Sequence, residues 1–409
     1  MDKVRVGIVG AGGIFRGAHL PGYVNVKEAE IIAIADPSDT SLKLTKNILT
    51  KKYFEKAKKI EEEGDRERAG NLREMVKEIR YYRDYSEMFS KEDLDLIDIC
   101  TPHKYHASIA IDALNNGFNV MVEKPLARTY IEALDVVDAV KDSGKYFQYN
   151  ENLIYLPPYY LSMKLVRSGE IGDLLFISIP ASHGGPEGRE WFWSPYIGGG
   201  GAMLDNGIHA VTVSWYISGF DLKPVEVKSL NPYGLSIRAG FRNISGMLRE
   251  IEVEDEGVIS VRYEGDRGWV TALVEGSWIY KNIPDYIVIG SKGYIKWEFE
   301  GNKEYLSIYD AYGNRRRIEI ESKWVSTFEA EIRNMCLSIL RNRKPMIDEN
   351  IGLESIAIVD AAYYSEMLGR KPVKIADFKL YAKKLRAKLG KKAIDEFMLK
   401  KLEYFKGLK

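Results

Sequence analysis

VRVGIVGAGGIF, residues 4–15, is a run of β-branched residues that breaks into a glycine turn and then opens a helix. Val4 to Val9 reads as a strand buried on both faces. Gly10 supplies the torsions that a tight strand-to-helix turn needs. Gly12 and Gly13 leave the backbone bare, so a phosphate group can approach the N–H groups of Ile14 and Phe15 and the positive end of the helix dipole. A second apolar strand follows, Glu30 to Ala35 (EIIAIA), and ends on Asp36. A carboxylate there accepts hydrogen bonds from both ribose hydroxyls of a dinucleotide and repels a 2′-phosphate. NAD is therefore the expected cofactor. NADP stays open, because Lys43 is near enough in sequence to swing toward a phosphate. The alternative for Asp36 is a plain turn or helix-capping residue. Phe15 stands where the fingerprint usually has Gly or Ala, so the helix is expected to sit further from the sheet or the ring to pack sideways.

Working outward, further short apolar runs alternate with helical stretches: Asp95 to Cys100, Asn119 to Val122 and Lys145 to Tyr149. Apolar strands alternating with helices imply a parallel sheet covered on both sides, the doubly wound α/β class. Residues 1–148 are assigned to this Rossmann domain. It carries a charged insert at about 41–80, read as two helices broken near Gly64. From about residue 149 the pattern changes. One helix is expected near Pro158 to Arg167 and another from Ala202 to Ile217. Short strands then follow from Gly257 to Ile320, separated by turn signals. This predicts an α+β domain over 149–375 with an open, mostly antiparallel sheet. Residues 376–409 form a basic helical tail. From Lys379 onward it has eleven Lys/Arg and three Asp/Glu, with an apolar stripe that favours docking on the body or on another subunit.

The chain has 409 residues, too many for one core of ordinary size, and 59 basic residues balance 59 acidic ones. A neutral chain offers no field for nucleic acid or anionic lipid, and no apolar run is long enough to cross a bilayer. Cys100 and Cys336 are the only cysteines, which argues against a disulfide framework. No Cys/His spacing suggests a metal site. The first residues lack the features of a signal peptide. A cytoplasmic location is the resulting expectation.

Three later motifs complete the pattern: TPHKYH at 101–106, VMVEKPLA at 120–127 and GGGGAMLDNGIH at 198–209. Together with the glycine turn they resemble the Gfo/Idh/MocA oxidoreductases, the group that includes glucose–fructose oxidoreductase and inositol dehydrogenase. The likeness runs to about Ile375 and leaves out the charged insert and the tail. It implies a catalytic group of Lys124, Asp205 and His209. It also implies cofactor contacts along the nicotinamide half from Thr101, Pro102, His106, Glu123 and Asn150. Assembly as a homodimer or homotetramer through the C-terminal sheet is implied as well.

The chemistry suits those residue types. Oxidising a secondary alcohol removes hydride from carbon and a proton from oxygen. An imidazole such as His209 is a suitable base, and an ammonium such as Lys124 stabilises a developing alkoxide. Asp205 lies four residues before His209, one helical turn away, and is expected either to orient the imidazole or to grip a second substrate hydroxyl. His183, Arg189, Trp191 and Trp193, with Tyr155, offer aromatic faces beside polar groups, a combination that suits a small polyhydroxylated ring. An NAD-dependent dehydrogenase acting on a sugar, cyclitol or related compound is the main reading. A glycoside hydrolase that retains its NAD, and a non-catalytic regulator on the same scaffold, are the alternatives.

Overall fold

The computed structural model describes residues 3–230, 234–266, 268–280, 286–321 and 326–407. Within them β1 (Val4–Val9), β2 (Ala29–Ala35), β3 (Arg80–Tyr82), β4 (Leu96–Ile99), β5 (Asn119–Glu123) and β6 (Phe147–Asn150) form one sheet. Its order is β3-β2-β1-β4-β5-β6 and every pair is parallel. Alternate residues feed separate cores. Val4, Val6 and Ile8 pack on one face, and Val9 joins Ala35, Ile97 and Ile99 on the other. Burial on both faces is why these strands carry few polar residues. The order reverses between β1 and β4, which opens a crevice at their carboxyl ends, where sheets of this class bind ligands.

Phe15 packs sideways. Its ring is fully buried with Val4, Val6 and Ile8, and the first turn after it, Phe15–His19, is widened to a π-helical turn. The charged insert is two helices, Asp39–Glu62 and Arg66–Glu78. Ser38 and Asp65 cap them by accepting from the backbone N–H groups of Ser41 and Arg68. The break falls at Gly64, as the sequence predicts. Leu49, Tyr53, Ala57, Ile60 and Ala69 are buried beneath the charged surface.

The second sheet is built from β7 (Leu174–Ser182), β8 (Lys223–Ser229), β9 (Leu235–Ser236), β12 (Glu256–Gly265), β13 (Gly268–Ser277), β14 (Ile287–Gly290), β15 (Gly293–Glu300), β16 (Lys303–Asp310), β17 (Arg315–Glu319) and β18 (Val373–Lys374). Its main order is β17-β16-β15-β14-β7-β13-β12-β8-β18, with β9 beside β12. Only the central β7–β13 pair is parallel, so the sheet is mixed and mostly antiparallel. The helices Pro157–Arg167, Ile208–Ile217 and Glu349–Met367 pack beside this sheet. Leu175, Trp269 and Phe299 are exposed. A separate hairpin, β10 (Phe241–Ile244) with β11 (Met247–Glu250), stands off the sheet.

The two halves interleave. The helix Thr327–Leu340 returns to the first sheet and adds Ile332, Met335 and Cys336 to the core under β1. Cys100 and Cys336 are both free and buried. The chain ends in the helices Ile375–Leu389 and Lys392–Gly407. Among the described residues no helix is long and apolar enough to cross a membrane.

Candidate active site

Gly10 sits at φ +103°, and a Cβ there would lie 2.5 Å from the Cys100 carbonyl oxygen. Only glycine lets the turn pass so close to the end of β4. A Cβ on Gly12 would meet nothing within 4 Å, so that backbone faces open space in a cleft of about 1450 Å³. Asp36 fastens the turn, because its carboxylate accepts from Ala11 N at 2.8 Å and Ser38 N at 2.8 Å. It also lines the cleft, as do Gly10, Gly12, Gly13 and Ile14. Bare backbone beside a fixed carboxylate fits the phosphates and ribose of NAD. Lys43 is exposed and off the cleft wall; Arg83, which pairs with Asp39 at 3.5 Å and lines the cleft, is a basic residue the sequence reading missed.

Arg189 lines the cleft with His183 and Trp191 of the group assigned from sequence. Its guanidinium lies 3.0 Å from where a Gly13 Cβ would be, which brings a cation of the second half over the phosphate turn. The hairpin holds this loop. Ser245 N donates to Glu187 O at 2.9 Å, and Arg242 donates to Gly184 O at 3.2 Å.

Lys124 closes β5 and is joined to Pro125 by a cis peptide bond. Its Nζ donates to Asp205 Oδ1 at 2.7 Å and Asp205 O at 2.8 Å. Trp278 Nε1 donates to Asp205 Oδ2 at 3.2 Å, and His183 Nε2 lies 3.7 Å from the same oxygen. His183 Nδ1 accepts from Gly185 N at 3.0 Å, so its proton sits on Nε2, facing Asp205. Burial works to raise the Asp205 pKa, but the Lys124 ammonium and the hydrogen bonds from His183 and Lys124 together outweigh it and hold the carboxyl well below the usual range.

Asp205 and His209 do not pair, contrary to the helical-spacing argument. Met203–Gly207 is a π-helical turn and the α-helix begins only at Ile208. Asp205 turns to Lys124, and His209 Nδ1 meets Glu151 Oε1 at 2.6 Å instead. Glu151 is fully buried. With Nδ1–H donated to this carboxylate, the lone pair of His209 is on Nε2. Lys124, Asp205 and His209 all line the cleft, together with Thr101, Pro102, Glu123 and Trp191.

Five side chains expected at the site lie behind the cleft wall: Phe15, His106, Asn150, Tyr155 and Trp193. His106 is fully buried, with Nδ1 2.7 Å from Pro125 O and Nε2 2.8 Å from Thr101 O. Burial pushes its pKa down, so the neutral ring braces two loops and donates to one carbonyl at a time. Asn150 is buried and accepts from Gln148 Nε2. Tyr155 packs against the main core, and Trp193 packs edge-on to Trp278 at 4.8 Å. Besides Arg83, three residues went unread: Glu151, His103 and Trp278. His103 lines the cleft, meets Gly198 O at 2.8 Å and touches the edge of Trp191 at 4.8 Å. Burial, with His106 beside it, pushes its pKa down to about 3, so it stays neutral.

Behind Lys124 lies a buried ionic layer. His19 meets Asp98 Oδ2 at 2.8 Å and Glu123 Oε1 at 2.6 Å, and Tyr23 donates to Asp98 at 2.9 Å. Burial opposes the imidazolium, yet Asp98 and its neighbours raise the His19 pKa well above the ordinary value. Glu331 shares this layer. Burial and then the Glu123 charge push its pKa well up. Glu123 meets His19 in this layer, and the Lys124 ammonium is bound by Asp205.

A bare glycine turn and Lys124 in the parallel-sheet half, met in one crevice by Asp205 and His209 of the mixed-sheet half, define a dinucleotide-binding protein of two interleaved parts. Residues 4–151 match the oxidoreductase family with an NAD-binding Rossmann fold, and residues 162–296 match the GFO/IDH/MocA C-terminal domain. The two matches take in well over half of the chain, and the chain belongs to the Gfo/Idh/MocA oxidoreductase family. It is 26% identical over 235 residues to a levoglucosan dehydrogenase of Pseudarthrobacter phenanthrenivorans, covering 54% of this chain and 60% of that one. It is 28% identical over 180 residues to a glycosyl hydrolase family 109 protein of Shewanella putrefaciens, covering 43% of this chain and 34% of that one. The chain thus spans less than two thirds of the length of either relative. An aldose–aldose oxidoreductase from Caulobacter crescentus, solved with glycerol, superposes with a TM-score of 0.71 over 91% of this chain and 99% of its own, at 21% identity. That likeness establishes the fold.

Proposed function

We propose that the protein oxidises a secondary hydroxyl of a sugar, glycoside or related polyhydroxy compound, or runs that reaction in reverse, with NAD as cofactor. The observation that carries this reading is the Lys124–Asp205 pair, made across the two halves in the cleft that His209 also lines. When bound, the nicotinamide supplies the hydride acceptor. Lys124 holds the substrate oxygen and stabilises it as charge develops. His209 Nε2 takes the hydroxyl proton, and Glu151 stabilises the imidazolium that results. Trp191 offers an apolar face to the C–H side of a sugar ring. The test is NADH formation from a panel of levoglucosan, methyl glucosides and inositols. Absence of NADH with every compound overturns the reading.

The family 109 relative favours a second reading, hydrolysis through transient oxidation with NAD retained. It predicts release of the aglycone from an aryl glycoside with no net NADH.

Glu151→Gln should lower turnover by about tenfold, the scale of one charge-assisted hydrogen bond to the ring, with NAD affinity unchanged. Wild-type turnover in this variant argues against the pairing. Arg189→Ala should weaken NAD binding about tenfold, the scale of one charge-assisted contact, without changing turnover at saturating NAD. Titration of NADH fluorescence reads this directly. We also propose self-association through the open sheet, because Leu175, Trp269 and Phe299 are exposed. Light scattering on a sizing column tests it, and a monomer overturns it.

A further inference from the structure

The loops that carry Lys124 and Asp205 meet at Gly199. This residue sits at φ +86°, and a Cβ there would lie 2.5 Å from Arg128 Cβ and 3.0 Å from Arg128 Cα. The chain leaving Lys124 and the chain entering the Asp205 turn are therefore in direct contact. The C-terminal tail reaches this junction from behind. Lys401, on the helix Lys392–Gly407, is 4% exposed. Its Nζ donates to Asp360 Oδ1 at 2.6 Å and to Gly199 O at 3.4 Å, and it lies 4.1 Å above the Tyr363 ring. The other Asp360 oxygen accepts from Tyr130 N at 2.7 Å, at the start of the helix Tyr130–Ser143 that follows Lys124 in the chain. The Tyr363 hydroxyl donates to Glu254, whose Oε1 also accepts from Gly201 N at 2.9 Å and Met203 N at 3.1 Å. The other tail helix is tied to the first half, where Arg386 binds Asp138 at 2.7 Å and also Asp135.

An apolar contact would serve to dock this helix, and Phe397, Leu402 and Phe405 already provide one. Burying an ammonium costs solvation, and an ion pair inside a protein is often replaceable by hydrophobic residues without loss of stability. What Lys401 adds is direction, because its donors fix Asp360 and the Gly199 carbonyl in one geometry. We propose that the C-terminal tail is a strap across the two halves, and that Lys401 is a positioning residue that sets Lys124 against Asp205. The role in turnover rests on the dehydrogenase reading above; the strap itself does not.

The test is the double variant Asp360→Asn/Lys401→Met, which removes both charges and leaves neither buried alone, beside Lys401→Arg. Misplacement of reacting groups by about 1 Å can cost on the order of 100-fold in rate. The double variant should lose turnover by roughly tenfold or more, keep the wild-type KM for NAD, and show faster amide exchange confined to 198–206. Lys401→Arg should restore turnover. Wild-type turnover and exchange in the double variant overturn the strap. So does exchange that rises evenly over the whole chain, which is the mark of lost stability alone. If the wild type forms no NADH with any sugar, the dehydrogenase reading fails, and the strap is decided by the exchange pattern.

Discussion

Lys124→Met is expected to lower turnover by about 10²–10³-fold, the effect of removing one preorganised charge from an oxyanion site. NAD should still bind, because the glycine turn is fastened by Asp36 while this ammonium is bound by Asp205. Stability needs separate control. Asp205 is buried and would lose its cation, and breaking one half of a buried pair costs about 3–5 kcal/mol. Trp278 Nε1 still donates to Asp205, which softens that loss. Melting curves with and without NAD separate the two effects. A folded variant that binds NAD and turns over normally would remove Lys124 from the chemistry.

His209→Asn should cost about 10²–10⁴-fold, the range for losing a general base. The variant keeps a polar group near Glu151, so the buried carboxylate is not stranded. His103 is a poor substitute as base, since burial pushes its pKa down to about 3. Wild-type turnover in His209→Asn would assign the base elsewhere in the cleft.

Much of the architecture follows from local patterning. The run from Val4 to Phe15 specifies strand, turn and helix by itself, because each residue there answers to a short-range rule: β-branching, glycine torsion or backbone access. The break at Gly64 and the mostly antiparallel second sheet were legible for the same reason. Phe15 was read as a departure, and the structure resolves it by a widened turn that lets the ring into the core.

The pairing of site residues was not legible. Asp205 and His209 sit one turn apart by counting, but a π-helical turn lies between them and sends each to a different partner. Glu151 carries no signal beyond being an acid after a strand. Arg189 lines the cleft with the residues expected to face a sugar, but its closeness to Gly13 was not legible. His106 and Asn150 keep the spacing of cofactor contacts yet lie behind the wall, where His106 braces two loops and Asn150 bonds Gln148 on its own strand. Sequence alone therefore determined the elements, the glycine turn and the candidates for the reactive groups, since these depend on neighbours along the chain. Tertiary structure decided which carboxylate serves Lys124, which serves His209, and what the tail holds. Those choices are made by residues tens to hundreds of positions apart, and hydrogen bonds and ion pairs between them act only over a few ångströms.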